Sequence, residues 1–396
     1  MLRILSICFL LLLGLSSSAQ KDIIHFENIG RVDGLAQSTI TGILQGNNGF
    51  MWFGTAEGLH RYDGYSLKVF KHALNDSTSL ASNHITTIYE DAQGYIWVGT
   101  FAGHLDRFDK RTNSFKHYLF KDRDSNYNQY QINCIREDDA NNLIIGTDGG
   151  GMTILNRTTE TWTNYTEQNS ILPSNYVRSF SDEANDLGIW VSTLQGIVLY
   201  NQQKFKTFRS LDAFNNQSVN DILHHGTKLY VVTNGQGLQI WDTKTDEVVP
   251  IPSPRIRGAN FTTFVMHDGV GNLWIGTDGA GLLKFTGDRY VTYHHNPYNF
   301  QSLIGDEINV GFRDEQGSLW FGGRVGVSKF DPSLKMFNLF NQFELNGKPT
   351  NNNLYSIYET RDSIIWIGTL GGGIARFNPK TEDLKIIPLV KDGDIE

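Results

Sequence analysis

The sequence predicts an all-β protein, a β-propeller built from four-stranded antiparallel blades. A motif of the form W-x-G-T recurs eight times, at intervals of 40 to 47 residues. Each copy lies among four short runs of β-branched and aromatic residues that are separated by Gly, Asp and Asn. A fixed period of this length indicates one supersecondary unit that is repeated along the chain. The copies begin at Trp52, Trp97, Ile144, Trp190, Tyr230, Trp274, Trp320 and Trp366.

The second repeat shows the four predicted strands most plainly, as apolar runs within residues 85–91, 95–100, 104–109 and 114–118. Asp91 and Gly94 separate the first two runs, as expected for a tight turn that needs a local hydrogen-bond acceptor and a positive φ. Such runs are too short for the amphipathic helices of tetratricopeptide or HEAT repeats. Four strands in each repeat of this length are typical of a propeller blade.

The composition and net charge limit the kinds of molecule that this protein is expected to bind. The chain has 396 residues, 40 of them glycine, and a formal net charge of −8 with no basic run. Binding to nucleic acids or anionic membranes depends on cationic side chains, so we expect no nucleic-acid partner for this region. Beyond residue 20 the sequence contains one cysteine, Cys134, which we expect to be a small buried hydrophobe.

The first nineteen residues predict a secretory signal peptide. Arg3 supplies a positive start, the stretch from Ile4 to Leu15 is apolar, and Ser17-Ser18-Ala19 offers a small-residue cleavage site. A buried first strand or a membrane anchor is the alternative, but the apolar run is short for a bilayer span. We therefore expect cleavage after Ala19 and a periplasmic mature protein.

The repeats predict how the chain is divided. A spare strand at residues 25–29 precedes the first repeat, and we expect it to complete the last blade and so cover an open sheet edge. Residues 20–340 are interpreted as a seven-bladed propeller. Residues 341–396 are interpreted as the first repeat of a second, incomplete propeller. An eight-bladed ring is the alternative.

The repeat resembles the two-component regulator propeller repeats of bacterial sensor proteins. The first copy carries the likeness in Asp33-Gly34-Leu35, Gly49-Phe50-Met51-Trp52-Phe53-Gly54-Thr55 and Gly58-Leu59-His60-Arg61-Tyr62-Asp63-Gly64. Members of this family are periplasmic sensor regions of hybrid two-component systems and related histidine kinases, and many are taken to sense oligosaccharides.

The resemblance also implies partners and an architecture. Such sensors carry two propellers, a β-sandwich, a membrane helix and kinase modules, so the sequence is similar to the N-terminal portion of one. It implies an oligosaccharide ligand, contacts with a second propeller and β-sandwich of a longer sensor, and a possible homodimer.

Residue patterns that would indicate catalysis or a metal site do not stand out. The tryptophans fall in register with the repeat, which predicts a structural role, and the histidines lack ligand spacing. We therefore predict no catalytic residues, no metal and no cofactor. A ligand sensor is the favoured function; a passive protein-interaction propeller, or a secreted propeller lyase or glycosidase, is the alternative.

Candidate ligand-binding residues come from the variable segments on one face of the disc. Connections between blades and turns between second and third strands share this face, where variable loops on a rigid scaffold usually carry function. Aromatic residues there would stack on sugar rings, polar residues would bond hydroxyl groups, and two arginines of innermost strands would edge the central channel. The predicted residues are Tyr127, Tyr130, Tyr298 and Phe300; Asp148, Asn234, Asp278 and Arg324; and Arg136 and Arg178.

Overall fold

The computed structural model divides the chain into two compact units, Met1–Ser333 and Leu334–Glu396. The predicted signal peptide, residues 1–19, lies outside the described residues. The structure describes residues 24–118, 130–181, 188–201, 204–208, 214–254 and 256–333 of the first unit, and 344–345, 348–349, 353–370, 373–379, 381 and 383–387 of the second.

The first unit consists of strands joined by turns and loops, with a short 3-10 turn at Arg31–Asp33. Its strands are β1 (Glu27–Ile29), β2 (Ile40–Gln45), β3 (Met51–Thr55), β4 (Gly58–Tyr62), β5 (Leu67–Phe70), β6 (Ile85–Glu90), β7 (Ile96–Thr100), β8 (Leu105–Asp109), β9 (Ser114–Tyr118), β10 (Ile132–Glu137), β11 (Leu143–Thr147), β12 (Met152–Asn156), β13 (Thr161–Tyr165), β14 (Val177–Phe180), β15 (Ile189–Thr193), β16 (Gly196–Asn201), β17 (Lys204–Lys206), β18 (Val219–His225), β19 (Lys228–Thr233), β20 (Gly237–Asp242), β21 (Glu247–Val249), β22 (Thr262–His267), β23 (Leu273–Thr277), β24 (Leu282–Phe285), β25 (Tyr290–Tyr293), β26 (Ile308–Arg313), β27 (Leu319–Gly323) and β28 (Val327–Phe330).

These strands form seven four-stranded antiparallel sheets within the described part of the first unit. Sheets one to six each use four consecutive strands, from β2–β5 to β22–β25. The seventh has the order β26, β27, β28, β1, so the N-terminal strand completes the last sheet, and that prediction is confirmed. The innermost strands contact one another in sequence order, and β26 contacts β2, which closes the ring. The predicted all-β propeller architecture of four-stranded antiparallel sheets is therefore confirmed.

The glycine of the W-x-G-T motif leaves room for the neighbouring sheet. A Cβ atom on Gly99 of the second sheet would lie 2.6 Å from Cγ2 of Ile132, the first residue of the third sheet's innermost strand. A Cβ on Gly322 of the seventh sheet would lie 2.6 Å from Cγ2 of Ile40 in the first. Gly54 and Gly146 receive the next sheet in the same way. The motif glycine is thus a packing requirement between sheets in these four cases.

The other motif positions stabilise the sheet itself. Trp97 is fully buried, and its indole N–H donates to Oδ2 of Asp91 at 2.8 Å. Asp91 Oδ1 also accepts the N–H of Gln93 at 3.0 Å, so the aspartate holds its own turn, as the sequence predicts. The threonine closes the following turn: Thr100 Oγ1 accepts the N–H of His104 at 2.9 Å.

Innermost strands are also joined by side-chain hydrogen bonds. Thr41 Oγ1 donates to the carbonyl oxygen of Ile85 at 2.9 Å, which links the first sheet to the second. Asn133 Nδ2 donates to the carbonyl oxygen of Val177 at 2.8 Å, which links the third sheet to the fourth. Each bond satisfies a carbonyl group at the start of the next innermost strand, where buried backbone groups need partners.

The second unit contains short strands β29 (Glu344–Leu345) and β30 (Lys348–Pro349), followed by one four-stranded antiparallel sheet of β31 (Leu354–Glu359), β32 (Ile365–Thr369), β33 (Gly373–Asn378) and β34 (Asp383–Ile387). The first strand of that sheet, β31, is exposed along its whole length, with Tyr355 73% and Ile357 67% accessible. The assignment of residues 341–396 to a second propeller stays a prediction.

Ring closure through β1 can be tested at Asn28. Its side-chain amide donates to the carbonyl oxygens of Phe300 and Ser302, each at 2.9 Å, and its Oδ1 accepts the Ser328 hydroxyl at 2.7 Å. Asn28→Ala should lower the free energy of unfolding by about 1–3 kcal/mol, because these partners lose their bonds. Chemical denaturation measures the change. Glu27→Ala, on the same strand but exposed, is the matched control and should change stability by less than about 0.5 kcal/mol. Equal effects of the two variants would contradict the closure.

His60 connects the chain after β1 to the first sheet. It is fully buried on β4, its Nε2 accepts the N–H of Ala36 at 3.0 Å, and its Nδ1 lies 3.3 Å from the carbonyl oxygen of Gly58. The pKa of His60 is lowered to about 4, chiefly by burial; the contact with the Gly58 carbonyl opposes this shift, and the charge of Lys71 adds to it. The neutral ring with its proton on Nδ1 satisfies both contacts.

Acid should therefore destabilise the protein through His60. An unfolded histidine has a pKa of about 6.5, whereas that of folded His60 is about 4. Between these values the unfolded state binds the extra proton, so the free energy of unfolding falls as the pH drops. We expect this component to reach roughly 3 kcal/mol, since one pKa unit corresponds to about 1.4 kcal/mol. His60→Gln, whose amide oxygen can accept the Ala36 N–H, should lack it. Denaturation across this pH range compares the two proteins, and a parallel loss of stability would refute the assignment.

Candidate functional site

One face of the ring brings variable residues to the mouth of the central channel. The start of each innermost strand pairs with the end of the second strand, as in Ile40 opposite Thr55. The turn after the second strand therefore lies beside the residue that precedes the first strand. We call these turns and preceding residues, taken around all seven sheets, the rim.

Backbone hydrogen bonds hold the rim in place. In the sixth sheet the N–H of the turn residue Asp278 donates to the carbonyl oxygen of Phe261 at 2.9 Å. In the same turn, the N–H of Gly281 donates to the carbonyl oxygen of Asp306 at 2.9 Å, and Asp306 precedes the seventh sheet. The within-sheet bond recurs between Phe101 and His84, Asp148 and Gln131, Leu194 and Tyr176, Asn234 and Ser218, and Arg324 and Glu307. Because the backbone is engaged, the side chains at these positions are free to vary.

Three rim positions expose large aromatic rings. Phe101 is 56% exposed, Tyr176 42% and Phe261 50%. The Phe101 ring stacks on the ring of His84, with centroids 4.8 Å apart and planes 7° from parallel. Flat, supported aromatic faces at a cavity mouth are suited to stacking against ring-shaped ligands.

A cluster of predicted and unpredicted residues lies between the third and fourth sheets. Tyr130 and Tyr176 both pack against the turn at Gly149, since a Cβ there would lie 3.1 Å and 3.7 Å from their rings. In the same turn, Asp148 Oδ1 forms an ion pair with Nη1 of Arg178 at 3.3 Å. The pair and the two tyrosines form a polar and aromatic patch, here called the Asp148 cluster.

The channel beneath the rim contains a cavity of about 570 Å³, lined by residues of all seven innermost strands. Arg136 and Arg178 contribute to its wall, together with Glu90, Asp221 and Cys134. Burial raises the pKa of the Cys134 thiol well above its usual value, so the thiol stays protonated at neutral pH. The predicted role of this cysteine as a small hydrophobe agrees with its packing against the core between sheets three and four.

The cavity carboxylates are held by neighbours. Glu90 pairs with Lys110 and accepts the N–H of Asn47. Asp221 accepts the Ser179 hydroxyl at 2.5 Å and the N–H of Val265 at 3.0 Å. These hydrogen bonds and the ion pair use the two carboxylates to join neighbouring sheets.

The remaining predicted residues are spread around the disc. Asn234 and Asp278 are exposed at rim turns, and Arg324 donates to the Glu307 carboxylate at 3.1 Å. Tyr298 lies with Phe300 on the loop between β25 and β26, which bonds to β1 on the outside of the seventh sheet and does not contribute to the cavity wall. Tyr127 lies outside the described residues. A ligand-binding role for each of these residues stays a prediction.

Sequence reasoning passed over Tyr176, Phe261 and the His84–Phe101 stack. The available signal was their offset: Phe261 and His84 stand 13 residues before the motif tryptophan of their repeat, and Tyr176 stands 14 before Trp190. The residue before the first strand lies outside the motif and varies between repeats. It is nevertheless part of the rim, because it lies beside the turn after the second strand.

The described ranges contain neither a cluster of metal ligands nor a helix able to span a membrane. No group of three or more His, Cys, Asp or Glu side chains there is placed to bind a metal ion. Within the same ranges no helix has the length and apolar character needed to cross a bilayer.

Comparison with known proteins identifies the repeat. A family model described as "Two component regulator propeller" matches residues 34–57, 79–102 and 348–371. The chain therefore contains two-component regulator propeller repeats, as the sequence resemblance predicts. Histidine kinase P4 of Formosa agariphila is 33% identical over 78 residues, which cover 20% of this chain and 6% of that protein.

Solved structures share the fold. Two extracellular domains of hybrid two-component systems from B. thetaiotaomicron each match 93% of this chain with a TM-score of 0.63, at 20% and 22% identity. The matches cover 55% and 48% of those chains, so this chain spans about half of their length. A streptogramin B lyase matches 78% of this chain and 97% of its own, at 16% identity and a TM-score of 0.58.

Proposed function

We propose that the first unit is the ligand-sensing domain of a two-component regulatory system, that it acts in the periplasm, and that it recognises an oligosaccharide at its rim. The repeat family and the extracellular sensor domains of similar fold support the sensor class. The observation that carries the ligand class is the Asp148 cluster together with the exposed aromatic rings around the same mouth.

The chemistry of the rim suits a saccharide. A sugar ring presents an apolar face that packs on an aromatic ring, and hydroxyl groups at its edge that bond to polar side chains. Tyr176 supplies such a face, and the Asp148–Arg178 pair supplies acceptors and donors next to it. A few placed polar groups among aromatic surfaces are typical of small-ligand sites.

The cavity is better suited to ligand binding than to catalysis. Acid–base work needs a carboxylate or histidine that is poised to exchange a proton with a substrate. Glu90 and Asp221, the cavity carboxylates, are instead committed to neighbouring donors. The streptogramin B lyase shows that enzymes use this fold, but a shared fold does not transfer an activity.

Signal output belongs, in this proposal, to other modules of a longer protein. The matched region of the histidine kinase is a small fraction of that protein, and the similar extracellular domains are about twice as long as this chain. A ligand at the rim would alter signalling only if it bound two states of the whole sensor with different affinity.

The Asp148 cluster gives a test of ligand binding. Purified protein is screened by calorimetry against a broad panel of oligosaccharides, and the strongest binder is then measured with Asp148→Asn. Replacing the carboxylate should weaken binding roughly tenfold or more, because hydrogen bonds to a charged group contribute about 1.5–3 kcal/mol.

Asp288→Asn is the matched control, since Asp288 is exposed in the turn between β24 and β25, at the opposite end of the strands from the rim. It should bind as the unaltered protein does. The proposed site would be contradicted if no oligosaccharide of the panel bound, or if the two variants bound with equal affinity.

A further inference from the structure

We propose that the rim carries three separate aromatic platforms and that its ligand is an oligosaccharide of at least three sugar rings, seated across the mouth of the channel. This inference rests on the proposed function and extends it from the class of ligand to its size. The platforms are Phe101 with His84, Tyr176, and Phe261.

The platforms belong to different parts of the ring. Phe101 lies in the turn of the second sheet. Tyr176 precedes the fourth sheet and forms a backbone bridge with Asp148 in the turn of the third. Phe261 precedes the sixth sheet and bridges to Asn234 in the turn of the fifth. Successive platforms are therefore two sheets apart.

The backbone that carries each platform is hydrogen-bonded before a ligand arrives. His84 supports the Phe101 ring by parallel stacking. Tyr176 lies against Gly149, and its carbonyl oxygen accepts the Leu194 N–H at 3.0 Å. The carbonyl oxygen of Phe261 accepts the Asp278 N–H at 2.9 Å. A binding surface that is already ordered loses little conformational entropy when it binds.

Polar side chains alternate with the platforms. Asp148, in the third sheet, lies between Phe101 and Tyr176 in sheet order and pairs with Arg178 of the fourth sheet. Asn234, in the fifth sheet, lies between Tyr176 and Phe261. Asp278 and the Arg324–Glu307 pair follow on the far side of Phe261. The alternation matches a ligand with several apolar faces joined by hydroxyl-bearing edges, which is the pattern of an oligosaccharide.

The spacing sets the minimum size. Innermost strands of neighbouring sheets come within 8 Å of each other between Cα atoms. Successive platforms are two such steps apart, with the rim of a whole sheet between them, so one sugar ring does not touch two of them. A monosaccharide would use one platform, whereas a ligand that uses all three must supply at least three rings. Its central part would then lie over the cavity of about 570 Å³.

The test combines ligand length with removal of single platforms. Calorimetry measures the affinity of the full chain for saccharide series of α-1,4-glucan, β-1,4-xylan, β-1,3-glucan and α-1,6-mannan, each from monosaccharide to hexasaccharide. In the series that binds, affinity should rise by about tenfold for each additional platform reached, since stacking buries several tens of Å² of apolar surface.

Phe101→Ala, Tyr176→Ala and Phe261→Ala should each reduce the affinity for the hexasaccharide by about tenfold. At least one of the three variants should bind the shortest detectable ligand as the unaltered protein does, which a general loss of folding would not produce. Tyr65→Ala is the matched control: Tyr65 is 97% exposed in the turn between β4 and β5, on the opposite face of the disc.

The possible results distinguish failure of this inference from failure of the proposed function. If a monosaccharide binds as tightly as the hexasaccharide of its series, the three-platform inference is wrong and the sensor function stands. The same holds if only one aromatic variant weakens hexasaccharide binding. If no member of any series binds, the proposed oligosaccharide function is overturned and the inference falls with it.

Discussion

The structure depends on one packing contact between neighbouring sheets. At four junctions between sheets, the first residue of an innermost strand, a β-branched isoleucine or valine, fills the space left by the motif glycine of the preceding sheet. Ile132 enters at Gly99, and Ile40 enters at Gly322 and so closes the ring between the last sheet and the first. Close-packed interiors tolerate almost no added volume, which explains why glycine recurs at a position that has no unusual backbone angle.

The residues that build the ring are distinct from the residues that are available for binding. Strands and motif positions meet the packing and hydrogen-bonding needs of the ring, and the rim backbone is engaged by bonds such as that from Asp278 to Phe261. Side chains at the turn and before the first strand take no part in that framework. They can therefore differ from sheet to sheet, as Tyr176, Phe261 and Glu307 do, without weakening the fold.

Much of the architecture could be predicted from the sequence because one spatial unit repeats with one period. The four-stranded sheets and the closing role of β1 followed from that period, and Arg136 and Arg178 lie in the channel wall where their strand position predicted them. The site was less predictable. Tyr176 lies outside the motif, and the position of Tyr298 depends on contacts of its loop with β1, which no local pattern encodes.

The most direct measurement is a double-mutant cycle on the closing contact, using Gly322→Ala, Ile40→Ala and the double variant in chemical denaturation. Each single change should destabilise the protein, the first by overpacking and the second by leaving a cavity. In the double variant the closest contact of the added methyl group, 2.6 Å to Cγ2 of Ile40, is gone, so part of the overpacking is relieved even though Cβ of residue 40 and Cγ1 of Val310 stay 2.9 Å away. The combined loss should therefore be smaller than the sum of the single losses by about 1 kcal/mol or more. Additivity within about 0.5 kcal/mol would show that these two residues do not pack together and would contradict the account.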